Sequence, residues 1–554
     1  MLQPIQVVDL IIILAAVLVS AWLLSPFIVR VFKHTPSKLD RVLNPIENFI
    51  YKVTGVDPTH SMGWKEYFLS ALYLNIAQMV IAFIILMLQG RLPLNPQGFH
   101  GLSWDLALNT VVSFATNTNL QHYAGEQSLS YLSQMTAIQF LQFTSAATGV
   151  CAGIAMVRAL VAHSRDMGNF YVDFVRAITR IFIPLCLVAA VLLVYLGTPQ
   201  SLGGYTALKT VEGATQFVLV GPVASLVSIM QLGTNGGGYY GVNSAYPLQN
   251  PSPETDLVQI FLMLLIPTAL CFVFGEFIGR KRESVPIIVG AYALFCIDLA
   301  IAFIPNPVVV GPGLETRFGG FMSTFWTVVT TTVTTGSVNS SLTGMHPLAI
   351  LSAFMGMMIQ AAPGGMGVGL MYMLMYVIIT VFIVGLMSGR TPEYLGMKIT
   401  SRDVKIVMVA FLVHPLIIIV PTVIAYASGA VSAIGLEGVP LGYTQILYEF
   451  TTSAANNGSD FLGTAGNTMF FNIATAIVIF LGRYVPMACL LAVGGSMIGR
   501  RRVDIGATSL KTHTLLFSSI LVISILVLVV LSFFPFLALG PILAYFQHYP
   551  NFFG

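Results

Sequence analysis

Charge is what this 554-residue chain has least of: charged residues make up only 8% of it. A soluble domain carries roughly 25%. So few charges cannot cover the surface of a globule this size with water-loving groups. A cytosolic globular enzyme, a disordered protein and a nucleic-acid binder are all excluded. Cysteine is also scarce. Cys151, Cys186, Cys271, Cys296 and Cys489 lie inside apolar stretches with no metal-ligand spacing, which predicts small core hydrophobes rather than disulfides or a metal centre. Phosphate-binding sequences are missing too. There is no GxxxxGK[ST] loop and no Asp-Lys-Thr-Gly-Thr, so the chain is not expected to hydrolyse ATP. Its longest loop on the cation-bearing side, about 35 residues, is too short for a catalytic domain.

Apolar length is abundant instead. Apolar residues are 56% of the chain and the mean hydropathy is +0.84. A membrane-spanning helix needs about 20 mostly apolar residues. Ten such segments can be marked: 7–29, 66–88, 133–162, 176–197, 256–279, 285–304, 348–389, 404–428, 468–498 and 513–535. The first lacks a cationic leader and a small-residue cleavage site, so it is predicted to be a span and not a signal peptide. The seventh is too long for one crossing and is interrupted by Ala361-Ala362-Pro363-Gly364-Gly365-Met366-Gly367. Of the 25 Lys and Arg residues, 21 fall in five clusters after spans 1, 3, 5, 7 and 9. The positive-inside rule makes those loops cytoplasmic and predicts both termini outside.

The opposite loops have another character. After spans 2, 4, 6 and 8 comes a short amphipathic stretch, too short to cross, ending in small polar residues. These ends are Ala115-Thr116-Asn117-Thr118-Asn119, Gly233-Thr234-Asn235-Gly236-Gly237-Gly238, Thr332-Val333-Thr334-Thr335-Gly336-Ser337 and Ala454-Ala455-Asn456-Asn457-Gly458-Ser459. Aligning Asn117, Gly236, Gly336 and Gly458 gives spacings of 119, 100 and 122 residues, an internal repeat. In this register Thr234 and Thr334 stand two residues earlier, matched by Ala115 and Asn456.

Polar backbone at membrane depth survives only where it lines a cavity or is buried in protein. Four re-entrant half-helices around one axis make such a cavity. Their C-terminal dipole ends favour a cation, and the following strands can turn carbonyls toward it. No Asp or Glu occurs within 115–119, 233–238, 332–337 or 454–459. Divalent ions favour carboxylates, so the expected ligand is a monovalent cation. Potassium is the favoured choice, and sodium stays open on these grounds. The predicted fold is an all-α polytopic membrane protein of ten transmembrane helices. Four pseudo-symmetric span–pore helix–filter–span repeats (64–163, 164–280, 281–390, 391–500) surround one central pore. An extra helix lies at each end (1–63 and 501–554).

The first, second and fourth windows, extended to Thr116-Asn117-Thr118-Asn119-x-Gln121, Gln231-Leu232-Gly233-Thr234-Asn235-Gly236-Gly237-Gly238 and Ser453-Ala454-Ala455-Asn456-Asn457-Gly458-Ser459, resemble the potassium-binding A subunits of the bacterial Kdp potassium-transporting ATPases, as do Arg390-Thr391-Pro392-Glu393-Tyr394-Leu395-Gly396 and Leu537-Ala538-Leu539-Gly540-Pro541. That family is grouped with the Trk/Ktr/HKT transporters. The resemblance spans the chain and implies the rest of the expected picture. Potassium, the transported ion, would bind at Thr116, Asn117, Thr118, Gly233, Thr234, Asn235, Gly236, Thr334, Thr335, Gly336, Asn456, Asn457 and Gly458, with no covalent cofactor. Gln121 would tune affinity. Gln360, Pro363, Gly364, Gly365, Gly367, Arg390 and Arg483 would lie below the filter or gate it. Gln360 departs from the family's usual glutamate, which puts an ionic contact with Arg390 or Arg483 in doubt. Thr335 stands where some members have cysteine. The implied partners are a P-type ATPase subunit (B), a C subunit and a small F subunit in a bacterial or archaeal cell membrane.

The alternatives are a stand-alone potassium channel or Trk/Ktr-like uptake protein, and a polytopic lipid enzyme. The last would need a cluster of His, Asp, Glu or Ser at an interface, and none is seen. His60, His100 and His122 read as isolated surface histidines.

Overall fold

The structure is a computed structural model, and it describes residues 4–161, 166–304, 314–439, 441–500, 511–537 and 540. Arg165, Arg501 and Arg502 of the cation clusters lie outside the described residues. So does most of the Leu537-Ala538-Leu539-Gly540-Pro541 motif.

Among the described residues ten helices are long and apolar enough to cross a membrane. They are Val7–Phe32, Trp64–Arg91, Tyr131–Val161, Phe170–Tyr195, Pro253–Phe277, Lys281–Phe303, Val368–Met387, Ser401–Ala427, Met469–Met497 and Leu515–Phe533. The third, fifth and seventh are mostly buried, whereas the first and tenth are mostly exposed. That is the pattern of a central assembly with one extra span at each end of the chain. Several starts are fixed locally. Ser252 with Thr255 and Thr400 with Asp403 form capping boxes, each satisfying two otherwise unpaired N–H groups.

The predicted seventh span is two helices. Pro347–Ile359 ends where Gln360 adopts φ 52°, and Val368–Met387 begins at Gly367 with φ 71°. Left-handed turns at both ends of the Gly/Pro segment stop the helix and turn the chain inward. All four predicted half-helices are present: Trp104–Ala115, Val223–Leu232, Gly319–Thr332 and Gly442–Ala454. Each follows an even-numbered span and precedes the returning helix.

Two small strand pairs interrupt the all-helical pattern. Gln200–Lys209 pairs antiparallel with Thr215–Pro222 and leads directly into the second half-helix. Glu393–Tyr394 pairs with Met397–Lys398. The cysteines are free, and Cys151, Cys186 and Cys271 are buried. Cys489 is half-buried and Cys296 is exposed, so these two are not the core residues expected. A span has an outer face as apolar as its inner one, so apolar context alone does not separate them.

Candidate functional site

The four half-helices end in the same backbone sequence of events. One residue caps each helix, and the next is left-handed: Asn117 (φ 66°), Thr234 (46°), Thr334 (47°) and Asn456 (51°). Two residues later a second left-handed position follows: Asn119 (59°), Gly236 (83°), Gly336 (87°) and Gly458 (89°). Between them the N–H groups of Thr118, Asn235, Thr335 and Asn457 return to the helix carbonyls of Ser113, Met230, Thr330 and Thr452 at 2.8–2.9 Å.

This corrects the register of the first repeat. Asn119, not Asn117, matches Gly236, Gly336 and Gly458, and Asn117 matches Thr234, Thr334 and Asn456. The spacings become 117, 100 and 122. Asn tolerates left-handed angles, and the first repeat carries it at both positions, so the residue types alone fit either register. Counting from the helix end separates them. Thr116 and Gly233 are helix caps, one step before the first left-handed ring.

The strands close on one another around the ring. A Cβ added to Gly236 would collide with the Thr335 carbonyl, one on Gly336 with the Asn457 carbonyl, and one on Gly458 with the Thr118 carbonyl. The circuit is completed by Asn119, whose Nδ2 donates to the Gly236 carbonyl at 3.2 Å. Gln121 ties the first and second repeats: its Nε2 donates to the Gly238 carbonyl (3.1 Å), and its Oε1 accepts from the Gly238 N–H (2.8 Å). Asn119, Gln121, Gly237 and Gly458 border a vestibule of about 740 Å³ to which all four repeats contribute.

The lower ring is held by side chains. Asn117 donates to the Thr234 carbonyl (2.7 Å). Its Oδ1 accepts from the Ser145 hydroxyl, which also serves Asn235. Asn456 donates to Thr118 Oγ1 (2.9 Å) and to the Ile479 carbonyl (3.0 Å), and Asn457 donates to the Thr330 carbonyl (2.8 Å).

The broken-helix loop lies against this lower side. The Gly364 N–H donates to the Thr332 carbonyl (3.0 Å), and the Met366 N–H donates to Thr234 Oγ1 (3.1 Å). Gly365 has no room for a Cβ beside the Thr334 hydroxyl. Arg483, buried in the ninth span, reaches the Ser145 carbonyl at 3.4 Å and packs beside Gly149, which abuts Met366. Gln360, Pro363, Gly364, Gly365, Gly367 and Arg483 thus gather around the underside of the ring. Arg390 does not. It is exposed just beyond the far end of Val368–Met387, roughly 30 Å along that helix from the loop at 1.5 Å per residue. Neither Arg390 nor Arg483 forms an ion pair among the described residues.

His122 is not a surface residue. It is fully buried, with Nε2 3.0 Å from Glu449 Oε1 and Nδ1 2.7 Å from Asn472 Oδ1. Asn472 in turn donates to Asp105 (2.8 Å). Burial opposes charge on this imidazole, but the hydrogen bond and negative charge of Glu449 outweigh it and hold its pKa above the usual range. Burial, reinforced by Glu449, raises the carboxyl of Asp460, which borders the vestibule. His60, by contrast, is exposed and pairs with Glu66 at 2.7 Å. Sequence alone gave no sign of the His122–Glu449 contact, because the two residues lie 327 positions apart.

Ten spans among the described residues, with four re-entrant helices whose ends form two stacked rings, define a four-repeat, pore-type membrane fold. The crystal structure of the potassium transporter TrkH from Vibrio parahaemolyticus shares this fold. Its TM-score is 0.52 at 14% sequence identity, covering 88% of this chain and 98% of that one. The family model for the potassium-transporting ATPase A subunit matches residues 11–546, and the chain belongs to that family. It is 43% identical over 546 residues to the potassium-transporting ATPase potassium-binding subunit of Alicyclobacillus acidocaldarius, covering 95% of this chain and 96% of that protein. It is 43% identical over 541 residues to the subunit so named in Gloeobacter violaceus (93% and 94%). The corresponding protein of Caldanaerobacter subterraneus is 41% identical over 539 residues (94% and 95%).

Proposed function

We propose that the chain captures potassium at the two stacked rings and releases it to a partner subunit that hydrolyses ATP. The supporting observation is the ring itself. It is four-fold, backbone-lined and closed on all sides, and its windows carry no carboxylate. Such a site replaces the hydration shell of a monovalent cation with oxygen dipoles, and the four helix C-termini behind it add a favourable field.

The filter set is Thr116, Asn117, Thr118, Gly233, Thr234, Asn235, Gly236, Thr334, Thr335, Gly336, Asn456, Asn457 and Gly458. Asn119 joins it through the corrected register. Gln121 braces the mouth of the filter rather than standing free, so its effect on affinity runs through the spacing of the first two repeats. The loop at 360–367 obstructs the direct path beneath the ring, which favours lateral exit toward a partner. B, C and F subunits, a bacterial or archaeal plasma membrane and extracytoplasmic termini complete this reading. The orientation follows from the cation clusters.

The test is potassium uptake in cells lacking their own uptake systems, with this chain expressed alone and with its ATPase partner. Uptake only with the partner is expected. Uptake by the chain alone, independent of ATP, would sink the pump reading and favour a channel.

A further inference from the structure

The helix Asp40–Thr54, between the first two spans, is amphipathic in the unusual sense. Its polar face points into the protein. Asp40, Asn44, Glu47 and Tyr51 recur at helical spacing on that side. Arg180, in the π-helical turn of the fourth span, bolts it down. Its Nε and Nη2 donate to the two Glu47 oxygens at 2.7 Å, Nη2 to Asn44 Oδ1 at 2.7 Å, and Nη1 to Asp40 Oδ1 at 2.5 Å. Thr179 adds a hydrogen bond to Glu47 (2.9 Å). The opposite face carries Leu39, Val42, Ile46, Phe49 and Val53, which are 43–69% exposed.

We propose that this helix lies in the interfacial zone of a membrane rich in acidic phospholipid, with the Leu39–Val53 stripe among the acyl chains. Three observations select that occupant. Both carboxylates of the helix are consumed by Arg180, while Lys38, Arg41 and Lys52 remain exposed, so the outward surface presents cations, apolar groups and the neutral Asn48 and Thr54, and no free carboxylate. That combination fits an acidic lipid surface. The helix is also anchored at the start of the fourth span, which carries an exposed apolar side of its own. Ile183, one turn beyond Arg180, opens the exposed apolar side of the fourth span, followed by Leu187, Val188 and Val191. Finally, at 15 residues the helix is about 22 Å long, too short to cross a hydrocarbon core of about 30 Å, so it lies along the surface.

The test places a tryptophan at the stripe by Phe49→Trp in the complete complex. The complex is reconstituted in vesicles of phosphatidylglycerol and phosphatidylcholine, with brominated acyl chains on one lipid or on the other. The added emission, taken against the unsubstituted complex, is expected to be quenched in both cases and more strongly when phosphatidylglycerol carries the bromine. Lys38→Gln, Arg41→Gln and Lys52→Gln should erode that preference, by about fivefold in relative lipid affinity for each cation removed. Equal quenching by both lipids would overturn the acidic-lipid assignment. No quenching by either would overturn membrane contact altogether, with blue-shifted emission then assigning the stripe to a partner subunit. Retained potassium-stimulated ATPase activity in Phe49→Trp verifies that the complex is folded.

Discussion

The two rings at the centre of the molecule are built from the same backbone turn by opposite means. In the upper ring, at Asn119, Gly236, Gly336 and Gly458, backbone meets backbone across the repeats, and three of the four positions have no space for a side chain. In the lower ring, at Asn117, Thr234, Thr334 and Asn456, the side chains are present. They bond or pack against the neighbouring repeat, the third and ninth spans and the broken-helix loop. The upper ring therefore sets a diameter, because its neighbours are in direct contact. The lower ring sets stiffness and couples the upper ring to what lies beneath it.

The largest expected effect falls on the upper ring. Gly336→Asp places a Cβ against the Asn457 carbonyl and a carboxylate in an aperture that holds none, and potassium-stimulated ATP hydrolysis by the complex should lose its high-affinity phase entirely. Gly336→Ala isolates the steric part. Left-handed strain alone costs about 1–2 kcal/mol, so affinity should fall by about tenfold or more. Unchanged affinity in either variant breaks the assignment of the upper ring as the site of contact with the ion.

Next in size is the seam between the fourth and first repeats, closed by His122 and Glu449 inside the protein. His122→Gln leaves a buried carboxylate without its cation, a loss of about 3–5 kcal/mol for a pair of this kind. The sign with pH follows from the raised pKa of His122. The folded state binds the proton more tightly, so the pair's contribution is complete below the ordinary value of 6.5 and fades as pH rises through the raised one. Thermal unfolding of the complex from pH 6 upward should show this decline in the wild type and a flatter profile in His122→Gln. Parallel profiles would mean that His122 packs there uncharged.

A smaller effect is expected from Thr234→Val in the lower ring. It removes the acceptor of the Met366 N–H and leaves a buried donor unpaired, at a cost of about 1–3 kcal/mol. Thr234→Ser keeps the hydroxyl and should behave as wild type. A potassium affinity hit as hard by Thr234→Val as by Gly336→Ala would erase the distinction between the rings.

Much of this was legible in the chain itself. Hydropathy located ten spans, and the recurrence of small polar residues after every even-numbered span located four half-helices. Both signals arise from local composition. The Gly/Pro run at 361–367 marked the break in the seventh span because Pro and left-handed Gly cannot continue a helix. What stayed hidden depended on long-range contact. His122 meets Glu449 only after two repeats are brought side by side, and Arg390 is carried away from the ring by a straight helix that sequence proximity ignores. The hairpin before the second half-helix was missed for another reason. Its strand Gln200–Lys209 is mostly exposed and carries no clean alternation. The register of the first repeat failed most narrowly, since Asn117 and Asn119 both tolerate the required turn.

That near-symmetry supplies the finest test of the comparison. Asn119→Gly makes the upper ring glycine throughout. It loses one hydrogen bond, the 3.2 Å contact with the Gly236 carbonyl, and gains freedom at a left-handed position. With a net cost near about 1 kcal/mol for a single such bond, potassium affinity should shift by no more than about fivefold. Asn117→Gly looks like the same change two residues away, but it strips a lower-ring side chain of its bonds to the Thr234 carbonyl and the Ser145 hydroxyl. It leaves Ser145 to serve Asn235 alone and loosens the strand on which Thr118 meets Gly458. Asn117→Gly should therefore weaken potassium binding more than Asn119→Gly, measured side by side as the half-saturating potassium concentration of the complex. If the order is reversed, Asn117 belongs with the glycines after all, and the division between a ring of backbone contacts and a ring of side-chain contacts fails in the first repeat.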